Sequence, residues 1–417
     1  MVKEEIKYKE TGIEWVPTIP SQWEMRRIKT LFTFRKEIVG EDSSQYKVLS
    51  LTVQRDGIIE RDIESGMGKF PATFDGYQKI EPNSIVLCLF DMDVTPRIVG
   101  FSELTGMISA AYTNIVPKEK VYPKFYYYYF LNQDRDKSLY ALGKGIRITL
   151  REDNFGSLFA PYPSYEEQKA IVEYLDAQIE KINLFIQKKQ RFIELLKEQR
   201  QSKIDEAVDG TNKNWFNKKL KYIAEIKFSN VDKHTIEDEI PVRLCNYVDV
   251  YKNDYITNDL EFMNATATET EIEKFTVLKG DVIITKDSEE ATDIAVPTFV
   301  KEDLENVVCG YHLALIRANE NEILNEYLFR KFQSSELKAY FAIEATGVTR
   351  VGLSMGEITG VKISYPKSIE EQKQIVSHIK TETATIDTAI AKAEREIELI
   401  REYKEAMIAE AVMGKIL

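Results

Sequence analysis

Glycine-flanked basic residues occur at corresponding places in the two halves of the chain. Arg147 lies in GKGIRITLR and Arg350 lies in TGVTRVG, 203 positions further on. A guanidinium group can hold a phosphate or pair with the edge of a guanine base, and glycine allows the backbone to approach a phosphate closely. The alternative is a solvated charge or a structural ion pair, which is the commoner role of a loop arginine. These segments therefore indicate anion contacts without establishing them.

Residues that could support catalysis or bind a metal are scarce. The chain has three histidines and three cysteines, and no two cysteines have CxxC spacing. A disulfide framework, a zinc site and a histidine-based active site are therefore disfavoured. The sequence also lacks an N/D-P-P-Y/F stretch for a flipped adenine, a GxGxxG turn behind a strand and a Walker A motif. We therefore expect no catalytic residue, metal or cofactor in this chain.

The composition is that of an ordinary globular protein, with 43% hydrophobic and 30% charged residues. No apolar run approaches the ~20 residues of a membrane helix, and the opening MVKEEIKYKE lacks the apolar segment of a signal peptide. We expect no membrane association and a location in the reducing cytoplasm. The net charge is −12, and the sequence has no polybasic tail. Any affinity for DNA must therefore rest on local basic patches or on the charge of a partner.

One helical segment is repeated at an offset of 204 positions. EEQKAIV begins at Glu166 and EEQKQIV begins at Glu370, and LKEQRQSKIDEAVDG aligns without a gap with IREYKEAMIAEAVMG. Apolar residues recur at intervals of three and four, which is typical of an amphipathic helix near the heptad spacing. In the first copy they are Ile171, Leu175, Ile182, Ile186, Ile193, Leu196 and Ile204, and in the second Ile375, Ile379, Ile386, Ile390, Ile397, Ile400 and Ile408.

Each copy predicts a helix of about 45 residues and about 65 Å. Ser164 and Ser368 are the predicted N-caps, each followed three residues later by a glutamate as in a capping box. Gly210 and Gly414 are the predicted C′ residues. A helix of this length needs a partner along its whole length, so we expect the two helices to pack against each other as a coiled coil.

The globular segments before the helices are also related, but more weakly. WEMRRIKTL resembles WFNKKLKYI, EPNSIVLCL resembles KGDVIITK, and the aromatic FYYYYFLNQ, a helix expected to lie in the core, resembles EYLFRKFQS. The fold is therefore predicted to be α+β, with two diverged mixed α/β globules, each followed by a long helix. The predicted boundaries are 1–163 for the N-terminal arm and first globule, 164–210 for the first helix, 211–366 for the second globule and 367–417 for the second helix.

Several segments resemble the specificity (S) subunits of type I restriction-modification systems. KYKETGIEWVPTIPSQWEMRRIKTLF resembles the opening of that family, and SYEEQKAIVEYLDAQIEKI and SIEEQKQIVSHIKTE resemble the starts of its two central repeated regions. GDVIITKDSEEATDIAVP followed by CGYHLALIR resembles one version of its target-recognition domain. The resemblance covers essentially the whole chain, in the family's order of domain, helix, domain and helix.

The resemblance implies a non-catalytic DNA-recognition subunit in a prokaryotic cytoplasm. Each target-recognition domain would read one half of a bipartite, gapped site in double-stranded DNA. Two antiparallel helices would set the gap and dock methyltransferase (M) subunits, two per chain. The M subunits would carry S-adenosylmethionine and methylate adenine N6 in each half-site. A restriction (R) subunit, which uses ATP and magnesium for translocation and cleavage, can join such an assembly.

The resemblance makes polar and basic loop residues of both globules the candidate DNA contacts. They are Arg97 in FDMDVTPRIVG; Lys144, Arg147 and Arg151 in GKGIRITLR; Lys286 and Ser288 in ITKDSEE; and Thr349 and Arg350 in TGVTRVG. Because Arg147 and Arg350 recur in both globules, we expect them to share one job, such as gripping phosphate or docking a partner. Readers of different bases are expected where the two globules differ.

Two other classes of function compete with this interpretation. A coiled-coil scaffold with two protein-binding globules and no DNA role would fit the acidic balance. A stand-alone methyltransferase or nuclease would need a cofactor or catalytic motif that the sequence lacks. The motifs shared with specificity subunits favour DNA recognition over both.

Overall fold

The computed structural model describes residues 7–53, 57–64, 70–211 and 213–416. Contacts within the chain divide it into unit 1, Met1–Lys188 with Arg395–Leu417, and unit 2, Lys189–Glu394. Each unit therefore combines one globular segment with the beginning of the helix that follows it and the end of the other long helix. The four segments predicted from the sequence divide the chain by element rather than by contact, and they stay predictions.

Two of the helices are far longer than the others. The α-helices of the described residues are α1 (Ile28–Leu31), α2 (Pro123–Arg135), α3 (Glu152–Ser157), α4 (Tyr165–Val208), α5 (Tyr247–Lys252), α6 (Glu269–Phe275), α7 (Asn325–Phe332), α8 (Ser335–Glu344), α9 (Met355–Gly360) and α10 (Ile369–Val412). Helices α4 and α10 have 44 residues each, close to the predicted length. The prediction of two mixed α/β globules with two long helices is confirmed.

The strands are short and most of them pair antiparallel. They are β1 (Tyr8–Ile13), β2 (Val16–Pro20), β3 (Glu24–Arg27), β4 (Phe32–Phe34), β5 (Leu49–Leu51), β6 (Ile58–Glu60), β7 (Tyr77–Ile80), β8 (Ser84–Leu87), β9 (Val99–Ser102), β10 (Gly106–Ser109), β11 (Thr113–Pro117), β12 (Phe159–Tyr162), β13 (Phe216–Lys219), β14 (Ala224–Phe228), β15 (Ile240–Cys245), β16 (Tyr255–Ile256), β17 (Met263–Ala267), β18 (Val282–Thr285), β19 (Asp287–Ser288), β20 (Pro297–Val300), β21 (Val307–Cys309), β22 (Leu313–Ala318), β23 (Val351–Gly352) and β24 (Lys362–Tyr365).

The main sheets of the two units have the same strand order. In unit 1 the order is β4-β11-β8-β9, and in unit 2 it is β14-β22-β18-β20 with β16 added at the edge. A two-stranded antiparallel pair precedes the long helix in both units, formed by β3 with β12 and by β13 with β24. Unit 2 also contains a three-stranded sheet, β17-β15-β21, whereas unit 1 has the two-stranded pairs β5-β6 and β7-β10. The duplication seen weakly in the sequence is therefore a duplication of fold.

The aromatic run predicted to be core is core. Tyr126, Tyr127, Tyr128 and Tyr129 lie on α2 and are at most 5% exposed. They pack with Phe32, Phe125 and Phe130 behind the main sheet of unit 1. Because an aromatic side chain buries roughly 150–250 Å², this helix supplies a large share of the apolar contact in unit 1. Side chains buried in this way are not available to stack on bases.

At the ends of the long helices, Ser164 and Gly414 act as predicted and Gly210 does not. Ser164 and Glu167 form the reciprocal capping box, with Ser164 N donating to Glu167 Oε2 at 2.9 Å and Glu167 N donating to Ser164 Oγ at 3.2 Å. Gly414 has φ of +70° and follows α10 as a C′ residue, with Lys415 N donating to Glu410 O at 2.8 Å. Gly210 does not adopt a left-handed φ, so its predicted role as a C′ cap is wrong.

Close packing explains the glycine at position 210. A Cβ atom there would lie 2.1 Å from Ser364 Oγ and 2.9 Å from the Trp215 ring. The counterpart in unit 1 is Gly414, where a Cβ atom would lie 2.9 Å from the Trp23 ring. The end of a long helix therefore packs against an equivalent tryptophan in each unit, and glycine is required at both places for proximity.

The long helices run antiparallel within each unit. In unit 2, Arg200 of α4 contacts Asp387 of α10 at 2.7 Å, and Lys203 of α4 contacts Glu382 of α10 at 3.3 Å. A later residue of α4 therefore contacts an earlier residue of α10, as in an antiparallel pair. In unit 1, Lys404 Nζ donates to Asn183 Oδ1 at 3.3 Å. The pairs 183–404 and 200–387 are related by the offset of 204 positions, so both units use the same helix register.

The repeated EEQ sequence fixes each globule onto the helix that follows it. Gln168 is fully buried, accepts from Tyr122 N at 2.8 Å and donates to Pro163 O at 3.0 Å. Gln372 makes the corresponding bonds in unit 2, accepting from Leu324 N at 2.8 Å and donating to Pro366 O at 3.0 Å. One amide side chain therefore pairs both a backbone donor and a backbone acceptor that would otherwise be buried unsatisfied.

The glutamate before each of these glutamines binds a tryptophan. Trp23 Nε1 donates to Glu167 Oε1 at 3.1 Å, and Trp215 Nε1 donates to Glu371 Oε1 at 3.0 Å. Burial disfavours ionisation of Glu167, but the hydrogen bonds from Ser164 and Trp23 outweigh this effect and lower its pKa. The Glu-Gln pair and the tryptophan form one clamp, repeated in both units.

Candidate nucleic-acid interface

A loop leaves the buried central strand of each main sheet at the same place. We name residues 88–98, after β8, and residues 286–296, after β18, the exit loops. Strands β8 and β18 are buried at every position, so the start of each exit loop is rigidly placed. Polar side chains that follow such strands are held by the core although they reach the surface.

A second loop in each unit ends in an exposed tip. We name residues 144–149 and 346–352 the tip loops. Backbone hydrogen bonds close each of them, between Lys144 and Thr149 at 3.0 and 3.1 Å and between Thr346 and Gly352 at 3.1 and 2.9 Å. The residue after the first closing residue is glycine with positive φ in both loops, Gly145 at +98° and Gly347 at +146°.

The tip loop is attached to the exit loop in both units. In unit 1, Leu150 N donates to Leu89 O at 2.8 Å and Met92 N donates to Ile148 O at 3.0 Å. In unit 2, Leu353 N donates to Lys286 O at 2.8 Å. The short strands β19 and β23 add a further antiparallel pairing there. We name the exit loop and tip loop of one unit together its loop surface.

In unit 1 three of the four predicted contact residues are exposed on the tip loop or just after it. Lys144 and Arg147 are exposed on the tip loop, and Arg151 is exposed at the N-cap of α3. The Arg147 side chain is 77% exposed and its Nη1 atom lies 3.2 Å from Asp91 Oδ2. Such an exposed pair costs little to break, so Arg147 is free to contact an anion.

The fourth residue, Arg97, is placed differently. It is the second-last residue of the exit loop of unit 1 and is half-buried, near Asp134 and Arg135. Its buried Nη1 atom has no hydrogen-bond partner among the described residues. Burial raises the pKa of Asp134, which accepts a hydrogen bond from Ile98 N at 3.0 Å. The predicted DNA contact of Arg97 stays a prediction, and its surroundings are those of a side chain that supports the exit loop.

In unit 2 the predicted residues divide into an exposed and a packed pair. Thr349 and Arg350 are exposed on the tip loop. Ser288 is only 5% exposed, and its Oγ atom accepts from Glu290 N at 3.3 Å. The Lys286 side chain is 13% exposed, and its Nζ atom lies 4.7 Å from the centroid of the Tyr311 ring. Direct contact with DNA stays a prediction for all four, and only the first pair is exposed to solvent.

Sequence reasoning missed a group of carboxylates and tyrosines on these surfaces. In unit 2 a cavity of about 380 Å³ is lined by Tyr247, Tyr251, Ser288, Glu289, Glu290, Asp293 and Arg350. The Tyr247 and Tyr251 rings are stacked, with centroids 5.5 Å apart, and the Tyr251 hydroxyl donates to Asp293. That bond raises the pKa of Tyr251 to about 12. The four-residue spacing of the tyrosines on α5 was the available signal.

Acidic side chains also occupy the exit loop of unit 1, where Asp93 Oδ1 accepts from Ile148 N at 3.1 Å. Both loop surfaces are therefore of mixed charge. Carboxylates repel phosphate, but they can accept hydrogen bonds from the amino groups of cytosine or adenine. A surface of this kind suits discrimination between bases better than strong binding to the phosphate backbone.

The described residues offer neither a cluster of metal ligands nor a membrane-spanning helix. Among residues 7–53, 57–64, 70–211 and 213–416, no group of three or more histidine, cysteine, aspartate or glutamate side chains is placed to hold a metal ion. Within the same ranges, none of the helices has the length and apolar character needed to cross a membrane.

Comparisons with known proteins give a family match over part of the chain and fold matches over nearly all of it. Residues 212–399 match the family described as the type I restriction modification DNA specificity domain. A comparison with curated protein sequences finds no significant match. The fold is similar to that of a chain in a solved structure described as the structural basis of complex assembly and conformational transition of the type I R-M system. The TM-score is 0.70 at 12% sequence identity, and the match covers 95% of this chain and 99% of that chain.

A second solved structure is similar over the same extent. The HsdS subunit from Thermoanaerobacter tengcongensis matches with TM-score 0.51 and 14% identity, covering 95% of this chain and 98% of that one. At such identities the similarity establishes the fold, and it extends over both units.

Proposed function

We propose that this chain, whose residues 212–399 match the family described as the type I restriction modification DNA specificity domain, is the DNA sequence-recognition subunit of a type I restriction-modification complex. Each unit reads one half of a bipartite, gapped site in double-stranded DNA. The long helices set the gap and dock methyltransferase subunits. The family match and the fold comparisons give no support to a scaffold without a DNA role.

The duplicated loop surface is the observation that carries this proposal. Both units place an exit loop and a glycine-closed tip loop at the end of the same buried strand. The backbone scaffold is shared, whereas the side chains differ: unit 2 has the stacked Tyr247–Tyr251 pair and unit 1 has Asp91 and Asp93. Two readers with one scaffold and different side chains are what a site with two different half-sequences requires.

We propose that partner subunits supply the catalysis and hold the cofactors. Two methyltransferase subunits bind the long helices, carry S-adenosylmethionine and methylate adenine N6 in each half-site. A restriction subunit that uses ATP and magnesium can join them. The net charge of −12 supports this division of labour, since such a chain leaves much of the neutralisation of phosphate to its partners. We expect weak DNA binding by the chain alone and tight, strongly salt-dependent binding by the complex.

Arg147 and Arg350 are expected to grip phosphate, because they occupy equivalent tip loops in two units that otherwise differ. Replacing either by alanine should weaken binding by the complex about tenfold on all sequences and lower the salt slope by about one. Fluorescence anisotropy at several salt concentrations measures both quantities. Arg35→Ala removes an arginine that is ion-paired with Glu37 and Glu81 outside the loop surface, and it serves as the control. Relaxed base preference at one position, with an unchanged salt slope, would instead identify a guanine contact.

The helices are expected to act as a ruler for the gap. One base pair shifts the second half-site by about 3.4 Å and rotates it by about a tenth of a turn. A four-residue insertion in one long helix adds about 6 Å. We expect it to lengthen the recognised gap or to abolish methylation, as mapped in cells. Alanine replacement of four exposed residues in the same helix keeps its length and should keep the gap. An insertion variant that still methylates the original gap would refute the ruler.

The proposed function is tested by mapping methylation. The chain is expressed with its cognate methyltransferase subunit in a host without DNA methylation, and N6-methyladenine is located by long-read sequencing. We expect a split motif with a fixed gap, methylated on both strands only when this chain is present. Identical methylation without the chain, or a stable complex that methylates nothing, would overturn DNA recognition and favour the scaffold.

A further inference from the structure

The most exposed apolar side chains of the described residues lie on or beside the two tip loops. Val348 and Ile146 are exposed to 103% and 101%, as in an isolated peptide, and Ile343 and Val94 follow at 82% and 72%. Single exposed apolar residues are ordinary on protein surfaces. Here the two highest values fall at the tips of equivalent loops in the two units, which ordinary scatter does not explain.

The two tips are built in the same way. Ile146 follows Gly145 and precedes Arg147, and Val348 follows Gly347 and lies two residues before Arg350. Neither side chain contributes to the folding of its unit, since each is fully exposed. The backbone on both sides is nevertheless fixed by the hydrogen bonds that close the loop and join it to the exit loop. A β-branched apolar side chain is thus held out on a preordered support.

Each tip is accompanied by groups that fit nucleic acid. Ile146 lies between the exposed Lys144 and Arg147, and Val348 lies beside the exposed Thr349 and Arg350. Basic groups that contact phosphate would bring the tip against the base edges of a groove. Val94, on the exit loop joined to the first tip loop, would add apolar area on the same side.

We propose that Ile146 and Val348 are wedges that enter the duplex and partly unstack one base step in each half-site. This rests on the proposed function. The exposed apolar tip is present in both units although their other loop side chains differ, so we expect it to perform the same task in both half-sites. Insertion of an apolar side chain suits such a task, because it needs no hydrogen-bond pattern and is therefore compatible with any DNA sequence. Proteins that deform DNA commonly insert apolar side chains between base steps. Unstacking of this kind would lower the cost of removing a nearby base from the helix for modification by the partner.

The test uses the complex of this chain with its methyltransferase subunit and a duplex that carries the mapped split motif. 2-Aminopurine is placed at each step of a half-site in turn, and its fluorescence reports unstacking. We expect one bright step in each half-site with the wild-type complex. Ile146→Ser should abolish the signal in one half-site only, and Val348→Ser should abolish it in the other. Each should weaken binding about tenfold, the factor that corresponds to losing the burial of one such side chain.

Control variants separate the wedge from general loss of surface. Ile63→Ser and Ile236→Ser remove exposed isoleucines outside the loop surfaces, 46% and 54% exposed, and should change nothing. Ile146→Leu keeps an apolar tip and should keep the bright step. Because neither tip side chain has a folded-state contact to lose, the serine variants are expected to fold as the wild type does.

Other outcomes would overturn the wedge. A bright step that persists in Ile146→Ser and Val348→Ser, or wild-type complexes that bind the duplex with no bright step, would refute it while leaving the proposed function intact. A binding loss that disappears when thymines are replaced by deoxyuridine would identify a thymine-methyl contact instead. A loss of methyltransferase binding in the absence of DNA would identify a protein contact. Failure of the wild-type complex to bind any split duplex would refute the proposed function itself.

Discussion

Replacing Gln372 by leucine is expected to lower the free energy of unfolding by about 4 kcal/mol. The Gln372 side chain accepts from Leu324 N at 2.8 Å and donates to Pro366 O at 3.0 Å and Glu322 O at 3.2 Å, and it is fully buried. Leucine fills a similar volume but pairs none of these groups. Each buried backbone group left unpaired costs about 1–3 kcal/mol, and partial access of water reduces the total.

Chemical denaturation of the full chain measures this change, and the helix offers a matched control two residues away. Gln374→Leu makes the same chemical substitution at an exposed position of α10 and is expected to change stability by less than about 0.5 kcal/mol. Gln168→Leu should behave as Gln372→Leu does, because its bonds in unit 1 are the same. If Gln372→Leu and Gln374→Leu lowered the free energy of unfolding equally, the buried hydrogen bonds of Gln372 would contribute no more to stability than an exposed glutamine on the same helix.

Replacing Gly347 by alanine is expected to reduce binding of the complex to its split site by about 100-fold. Gly347 has φ of +146°, a backbone conformation that residues other than glycine rarely adopt. A Cβ atom there would lie 2.0 Å from the carbonyl oxygen of Arg350. The tip loop would have to rearrange, and the displaced atom belongs to a predicted DNA contact. Recognition of one half-site should therefore be lost.

The Gly347→Ala variant should lose affinity for DNA while keeping nearly the same melting temperature. The tip loop is exposed, so we expect a small change in melting temperature together with the large loss of affinity. Gly360→Ala is the control, because a Cβ atom at the end of α9 meets nothing within 4 Å. If Gly347→Ala binds the duplex as tightly as the wild type, the tip loop of unit 2 is not part of the DNA contact.

The periodic parts of the structure were predictable from the sequence. The lengths of α4 and α10, the cap at Ser164 and the C′ glycine at position 414 follow from patterns that span three to seven residues, which local hydrogen bonding and one apolar stripe determine. The duplication was visible for the same reason, since a helix that packs along its whole length tolerates few changes in spacing.

The loop surfaces were only partly predictable. Glycine and arginine marked both tip loops, and the exposure of Arg147 and Arg350 agrees with that signal. The sequence did not indicate that Ser288 and Lys286 are packed, that Tyr247 and Tyr251 share a cavity with Arg350, or that each tip presents a bare apolar side chain. Exposure depends on which segments cover a residue, and residue type alone does not determine it.

Two related globules, two long helices and the motifs that resemble DNA specificity subunits were all recognisable from the order of amino acids. The role of the repeated EEQ and the position of the loop surfaces are visible only in the folded chain. The clamp joins Gln372 to Leu324, 48 positions away, and the second loop surface joins Leu353 to Lys286, 67 positions away. Such contacts form only when the sheet and helices have already brought distant segments together, so no local pattern encodes them.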